Sequence, residues 1–206
     1  MTENIPDSSE FELLQNYDFF LRKKSLSEKV MLLLGECSIA IQHSLKDFPE
    51  VLPAGMIDLT PKISKGENLL AAPWFMLDYP RYFKAEDIFA VRTLCWFGHY
   101  FSITLHLSGV FVDRYKDRFA TQLDLFKDGD YYICIQENQW DHHFGSENYQ
   151  SIDAYLQEIE GKQSIPNNKG FLKISKKIAF EQWENLPEIS SQTTQLFMKV
   201  LNSETP

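Results

Sequence analysis

The chain has 206 residues, 44% of them hydrophobic, so it can bury a substantial core and lacks the composition of a disordered protein. Its formal net charge is −9, and an acidic chain neutralises phosphates poorly, so we expect no nucleic-acid binding. Three cysteines without a C-x-x-C pair, and no basic then apolar leader, predict a cytoplasmic protein. The common nucleotide-binding, hydrolase and zinc-protease motifs are absent from the sequence, which therefore indicates no cofactor.

The N-terminal part of the chain has helical periodicity in two successive segments. The pattern Ser25-x-x-Glu28 resembles a capping box that starts the second segment. The apolar positions that follow at helical spacing are Val30, Leu34, Cys37, Ile41 and Leu45. The sequence therefore predicts a helical pair over about residues 8–46, joined near residues 23–25.

A stretch rich in proline and glycine follows the predicted helices. Residues 48–70 are expected to form a loop with short extended pieces. Residues 72–79 alternate as a strand does, and Pro80 indicates that this strand ends or lies at a sheet edge there. The predicted sheet-containing body therefore begins near residue 70 and extends to about residue 180.

The segment from Ile88 to Leu107 predicts a β-hairpin. A two-residue turn at Gly98-His99 suits glycine at a positive φ and pairs Phe97 with Tyr100. This register puts Arg92 alone among apolar side chains on one face of the hairpin. One long strand bent at Gly98 is the alternative. A membrane span is disfavoured, since its histidines and arginine would lie in hydrocarbon.

The remainder of the chain alternates between helical and extended patterns. Apolar residues from Val112 to Phe126 predict a middle helix, and strands are predicted near residues 130–136 and 171–179. Pro187 lies near the start of a C-terminal helix over about residues 187–202. We therefore predict an α+β fold in one domain, residues 1–206, with a central, mostly antiparallel sheet and flanking N-terminal, middle and C-terminal helices.

Arg92 is a candidate ligand-binding residue, because a guanidinium on an apolar face must find an anion. Asp78 and Asp87 are candidate partners within the chain, in which case the role of Arg92 is structural. A carboxylate or phosphate of a ligand is the functional alternative.

His106 and Tyr100 lie on the other predicted face of the hairpin, with Ser102 and Thr104. An imidazole beside hydroxyl groups could orient a polar ligand or act as a general base. Ser102 and His106 would be about 13 Å apart along a straight strand, too far for a catalytic dyad. The alternative is a structural face on which the hydroxyl groups bond to one another.

His142 and His143 are candidate metal ligands, because neutral imidazoles bind divalent metals. Adjacent residues of an extended chain point in opposite directions, however, and no H-x-H or H-x-x-x-H pattern occurs. The spacing therefore argues against a metal site.

Aromatic residues are dense between Trp74 and Phe101. The leading hypothesis is a non-catalytic domain that binds a protein partner, or forms a homodimer, through this region. The alternative hypothesis is a small-molecule-binding protein or enzyme with a pocket near these residues: Arg92, His106, Trp74, Tyr79 and Tyr100. A concave pocket with converging polar groups favours the alternative, and a flat exposed apolar patch favours the leading hypothesis.

Overall fold

The computed structural model describes residues 4–53, 55–56, 58–159, 164–166 and 170–203. The helices are α1 (Ser8–Gln15), α2 (Tyr17–Leu45), α3 (Val110–Gln122), α4 (Ile152–Glu158) and α5 (Leu186–Asn202). The strands are β1 (Lys62–Leu69), β2 (Ala72–Lys84), β3 (Asp87–Trp96), β4 (Tyr100–Ser108), β5 (Tyr131–Cys134), β6 (Tyr149–Ser151) and β7 (Phe171–Ile178).

The strands form one antiparallel sheet in the order β1-β2-β3-β4-β7-β5-β6. Helices α2, α3 and α5 pack against one face of it, which we call the helix face. The predicted α+β fold with flanking helices is thereby confirmed.

The main hydrophobic core lies between the helix face and these helices. Strand β4 supplies Phe101, Ile103 and Leu105 to it, each fully buried, and α5 supplies Phe197. Successive side chains of a strand point to opposite faces, so the remaining side chains of β4 point away from the core. We call that opposite face the loop face, because the segment 135–148 folds back over part of it.

The hairpin of β3 and β4 has a three-residue turn, Phe97 to His99, in place of the predicted two-residue turn. Trp96 therefore pairs with Tyr100, and the register is shifted by one residue from the prediction. Gly98 does adopt a positive φ of 78°, but within the longer turn. Because the hairpin consists of two paired strands, the alternative of one long bent strand is wrong.

The shifted register moves Arg92 to the other side of the hairpin. It pairs with Thr104 and so lies on the loop face, together with His106. The prediction that Arg92 stands alone on the apolar face was therefore wrong. The apolar face of β4 itself was assigned correctly, because its alternation does not depend on the turn.

The N-terminal helices also differ from the prediction. Helix α2 is continuous through Ser25 and Glu28, which lie inside it, so the predicted joint near residues 23–25 was wrong. The break lies at Asn16, whose side-chain oxygen accepts a hydrogen bond from the backbone N–H of Phe19 at 2.9 Å. A capping-box pattern in sequence occurs inside helices as well as at their starts, and here the true cap was the asparagine.

Two features of the β1–β2 region were missed. Strand β1 lies within the predicted loop, and it is an edge strand whose polar sequence, KISKGENL, has no fully buried side chain. Strand β2 continues past Pro80 to Lys84, with a bulge between Asp78 and Arg81. The bulge accommodates the proline, whose peptide bond with Tyr79 is cis.

Candidate functional site

A cleft of about 530 Å³ lies on the loop face. Its floor is formed by β1, β2 and β3, and its wall by two residues of the segment 135–148. The lining residues are Lys62, Ser64, Asn68, Leu69, Trp74, Met76, Asp78, Arg81, Phe83, Arg92, Trp140 and His142. The cleft therefore combines aromatic rings with charged groups.

The sheet register explains why these floor residues share one face. Trp74, Met76 and Asp78 occupy alternate positions of β2, and Asp78 lies directly opposite Arg92 on β3. The bulge after Asp78 adds one residue, so Arg81 returns to the same face opposite Ala90. Without the bulge, the guanidinium of Arg81 would point towards the helices.

Arg92 forms an ion pair with Asp78 at the base of the cleft. Its Nε donates to Oδ1 of Asp78 at 2.7 Å, and the two side chains are only 12% and 7% exposed. Its guanidinium carbon also lies 5.5 Å from the ring centre of Phe83 and 5.9 Å from that of Trp140. The partner anticipated for a structural arginine is thus present, and the pair fixes the floor of the cleft.

His142 joins this ion pair to the wall of the cleft. Its Nε2 lies 3.5 Å from Nη1 of Arg92, and because a guanidinium only donates hydrogen bonds, this nitrogen is the acceptor. Burial, and then the charges of Lys173 and Arg92, hold the pKa of His142 well below its ordinary value. The imidazole is therefore neutral, with its proton on Nδ1.

The segment 135–148 is anchored to the sheet by further polar contacts beyond the cleft. Nε2 of His106 bonds to Oε1 of Gln139 at 2.9 Å, and Nζ of Lys173 donates to the backbone carbonyl of Asp141 at 2.5 Å. The hydroxyl of Tyr100 accepts a hydrogen bond from the backbone N–H of Phe144 at 3.0 Å. These contacts hold Trp140 and His142 in place as the wall.

Two of these anchors are fully buried and titratable. Burial, with the nearby charge of Lys173, lowers the pKa of His106 to about 3. Burial also lowers the pKa of Lys173 to about 8. Among the described residues, Nδ1 of His106 is buried and has no hydrogen-bond partner. Both groups bond to the segment 135–148 and so anchor it, and neither lines the cleft.

The five residues predicted from sequence to bind a ligand occupy three different places. Trp74 and Arg92 line the cleft. His106 and Tyr100 lie on the same face but beneath the segment 135–148. Tyr79 lies in the main core, where burial raises the pKa of its hydroxyl, so it belongs to the opposite face of the sheet.

Sequence reasoning missed other members of the cleft, including Lys62, Arg81, Phe83 and Trp140. Trp140 gave a usable signal, since a tryptophan in a polar loop has no obvious core to join. The sequence contained no comparable indication for Lys62 and Arg81, because their positions in the cleft depend on strand β1 and on the bulge in β2.

The two candidate metal ligands diverge as their spacing suggested. His142 lies against Arg92, whereas Nδ1 of His143 accepts from the backbone N–H of Gly145 at 3.2 Å and lies 3.6 Å from a carboxylate oxygen of Glu147. Within the described part of the chain, no three histidine, cysteine, aspartate or glutamate side chains are grouped to hold a metal ion.

The cleft has a local charge opposite to that of the chain. Lys62, Arg81 and Arg92 contribute three cations to its lining, whereas Asp78 contributes a single carboxylate. The chain as a whole has a net charge of −9. The field inside the cleft therefore favours an anion.

No protein-family model matches this sequence, and comparison with curated proteins and with solved structures finds no significant similarity. Among the described residues, no helix has both the length and the apolar character that crossing a membrane requires. The site is therefore assigned from its own geometry and charge.

Proposed function

We propose that the protein binds a small, planar, anionic molecule in the cleft on the loop face. One observation carries the proposal: the cleft of this acidic chain has an excess of cations beside exposed aromatic rings. The cleft volume of about 530 Å³ lies in the range typical of small-molecule sites.

The aromatic rings account for the planar shape of the proposed ligand. Trp140 is 51% exposed and Phe83 is 41% exposed, although both are large apolar side chains. Trp74 is also only partly buried. Rings that line a concave surface without being buried offer flat contact area to an aromatic ligand.

Arg81 and Lys62 account for the negative charge of the proposed ligand. Nε of Arg81 donates to the backbone carbonyl of Thr60 at 3.2 Å, which orients its guanidinium at the cleft. Lys62 is exposed at the rim of the cleft. Arg92 is already paired with Asp78, so its role is structural. The anion would therefore bind to Arg81 and Lys62.

Partner binding through the aromatic-rich sheet region is less well supported. Phe89, Trp96, Tyr100 and Phe101 are each at most 7% exposed. Buried rings do not form the flat, solvent-facing patch that such a partner needs. The three cysteines, all within the described residues, form no disulfide bond, which supports a cytoplasmic location as part of the proposal.

Calorimetric titration with two pairs of probes tests the proposal. The anions are 1-naphthoate and adenosine monophosphate, and their neutral counterparts are 1-naphthamide and adenosine. We expect at least one anion to bind at submillimolar concentration, and about tenfold more tightly than its neutral counterpart, because a single charge-assisted contact provides that difference. Quenching of tryptophan fluorescence would report the same event.

Arg81→Gln is expected to reduce the preference for the anion, since Lys62 remains, and Trp140→Ala to weaken both members of each pair. Arg114→Gln is the matched control, because Arg114 is an exposed arginine of α3 outside the cleft. Equal affinity for anion and neutral probe, failure of both anions to bind at millimolar concentration, or an equal effect of the two arginine variants would overturn the proposal.

A further inference from the structure

The cleft on the loop face is divided into a charged half and a neutral half. Lys62, Asp78 and Arg92 lie side by side across β1, β2 and β3, and Arg81 lies beyond them on β2. Among the described residues, these four carry all the charges of the lining. The neutral half is lined by Ser64, Asn68, Leu69, Trp74 and Met76. An anion therefore binds in one half, and the other half is suited to an uncharged group.

A glycine on β1 makes room for the ring of Trp74 in the neutral half. Gly66 lies directly opposite Trp74, and a Cβ atom at Gly66 would lie 2.6 Å from Nε1 of the indole. That distance is well inside van der Waals contact, so a larger residue would displace the ring. The indole therefore lies against the backbone of β1, and its partial burial leaves ring surface for a ligand.

Polar groups without charge accompany this ring. Oδ1 of Asn68 accepts a hydrogen bond from the backbone N–H of Ala71 at 3.2 Å, which orients the amide at the end of β1. The amide of Asn68 and the hydroxyl of Ser64 are suited to the polar edge of a planar ring. Proteins recognise single nucleobases in this way, by stacking on an aromatic side chain and by hydrogen bonds to the base edge.

A second aromatic ring lies at the opposite end of the cleft. Trp74 pairs with Trp96 of β3, and Phe83 pairs with Ile88. At about 3.3 Å per residue, these two positions are about 26 Å apart along β3. Lys62 and Arg81 lie between them in the sheet, so the order along the floor is ring, cations, ring. A ligand with a single ring beside its anion would leave one end of the cleft uncovered.

We propose that the ligand of the cleft is a dinucleotide in which a diphosphate joins two nucleosides. One base stacks on Trp74, the diphosphate binds to Lys62 and Arg81, and the second base lies beside Phe83. This inference rests on the function proposed above and specifies the class of the anion. Two cations match the two negative charges of the diphosphate, whereas the single phosphodiester of a nucleic acid step carries one. The net charge of −9 also disfavours a longer nucleic acid.

Calorimetric titration of the full chain with three compounds tests this class. Diadenosine diphosphate has two bases and a diphosphate, adenosine diphosphate has one base, and adenylyl-adenosine has two bases joined by a single phosphate. We expect diadenosine diphosphate to bind about tenfold or more tightly than either of the others, because one stacked base provides that difference. Adenosine diphosphate carries the larger negative charge, so charge alone predicts the opposite order.

Two variants locate the second base at Trp74. Trp74→Ala should lower the affinity for diadenosine diphosphate to that for adenosine diphosphate, whose base can still lie beside Phe83. Gly66→Ala should have the same effect although it retains the indole, because the added Cβ displaces the ring. Alanine weakens a strand no more than glycine does, so this second variant should fold normally. Tyr17→Ala is the matched control, since Tyr17 is 74% exposed and lies outside the cleft.

The outcomes separate this inference from the function on which it rests. Binding of adenosine monophosphate or 1-naphthoate, with no advantage for diadenosine diphosphate, would refute the dinucleotide and leave the anion site standing. An advantage that survives both Trp74→Ala and Gly66→Ala would refute it as well. Equal affinity for adenylyl-adenosine would instead assign the cleft to single-stranded nucleic acid. Failure of every anion to bind would refute the proposed function and the dinucleotide together.

Discussion

Asp78 and Arg92 occupy directly opposed positions on β2 and β3, immediately before the β2 bulge, and their side chains form a buried ion pair. The pair thus fixes the strand register at the point where β2 becomes irregular. Through His142 it also connects the sheet to the wall of the cleft. The same two side chains therefore form part of the floor and contact the wall of the proposed site.

Removal of one partner of this pair should destabilise the protein strongly. Arg92→Met leaves the carboxylate of Asp78 buried without its cation, and Asp78→Leu leaves the guanidinium without its anion, so each is expected to cost about 3–5 kcal/mol. The double variant should cost less than either single change, because no buried charge remains. Urea unfolding of all three variants checks this, and single changes that cost under about 1 kcal/mol would contradict it.

Acid should destabilise the protein through His106. Its pKa of about 3 in the folded protein lies below its ordinary value of 6.5, so the unfolded chain binds the proton more readily between these values. Its contribution to stability is therefore complete above pH 6.5 and decreases as the pH falls towards 3. The loss should be on the order of a few kcal/mol, since one pKa unit corresponds to about 1.4 kcal/mol.

Unfolding free energies measured across this pH range would show the effect as a slope, which His106→Gln should reduce. Glutamine keeps a polar group at the position but does not titrate. His43→Gln is the matched control, because His43 is an exposed histidine of α2. A slope that survives His106→Gln unchanged would contradict the assignment.

Lys173→Met should loosen the segment 135–148 without unfolding the sheet. The change removes the hydrogen bond to the carbonyl of Asp141 but retains a side chain of similar length. Methionine also avoids the cost of burying an ammonium group, so the net change in stability should be small. Hydrogen exchange should show faster exchange within the segment and unaltered protection in β4 and β7. Equal loss of protection in the strands would contradict this role.

The position of the helix break can be tested with two alanine substitutions. Asn16→Ala should cost about 1 kcal/mol, because it removes the side-chain acceptor that caps α2. Ser25→Ala should leave stability within about 0.5 kcal/mol, since Ser25 is an exposed residue inside the helix. A larger loss of stability from Ser25→Ala than from Asn16→Ala would instead favour a helix break near residues 23–25.

The sequence predicted the fold class because alternation within strands and periodicity within helices are local properties. The strands over residues 171–179 and near 130–136 were found in this way, although β5 is shorter than expected. Strand β1 was missed because an edge strand needs few apolar residues, and its sequence does not differ from that of a polar loop. The single domain over residues 1–206 stays a prediction.

The candidate site was harder to predict from the sequence than the fold was, because it depends on contacts between segments that are far apart in the chain. The charge of Arg92 made it a candidate, and Asp78 was one of its two proposed partners. Its face was predicted wrongly, because the turn has three residues where the prediction had two. Arg81 reaches the cleft only because of the bulge, and Trp140 only because the segment 135–148 folds back over the sheet. Neither event leaves a periodic signal in the sequence.

The three-residue turn at the end of the β3–β4 hairpin pairs Trp96 with Tyr100, and this pairing decides which side chains of the two strands share a face. A strand pairing displaced by one residue would exchange the two faces of one strand relative to the other and bring Arg92 towards the helices. A change of two residues would conserve both faces and alter only the length of the hairpin. The pairing of Trp96 with Tyr100 therefore keeps Arg92 on the loop face, beside the cleft.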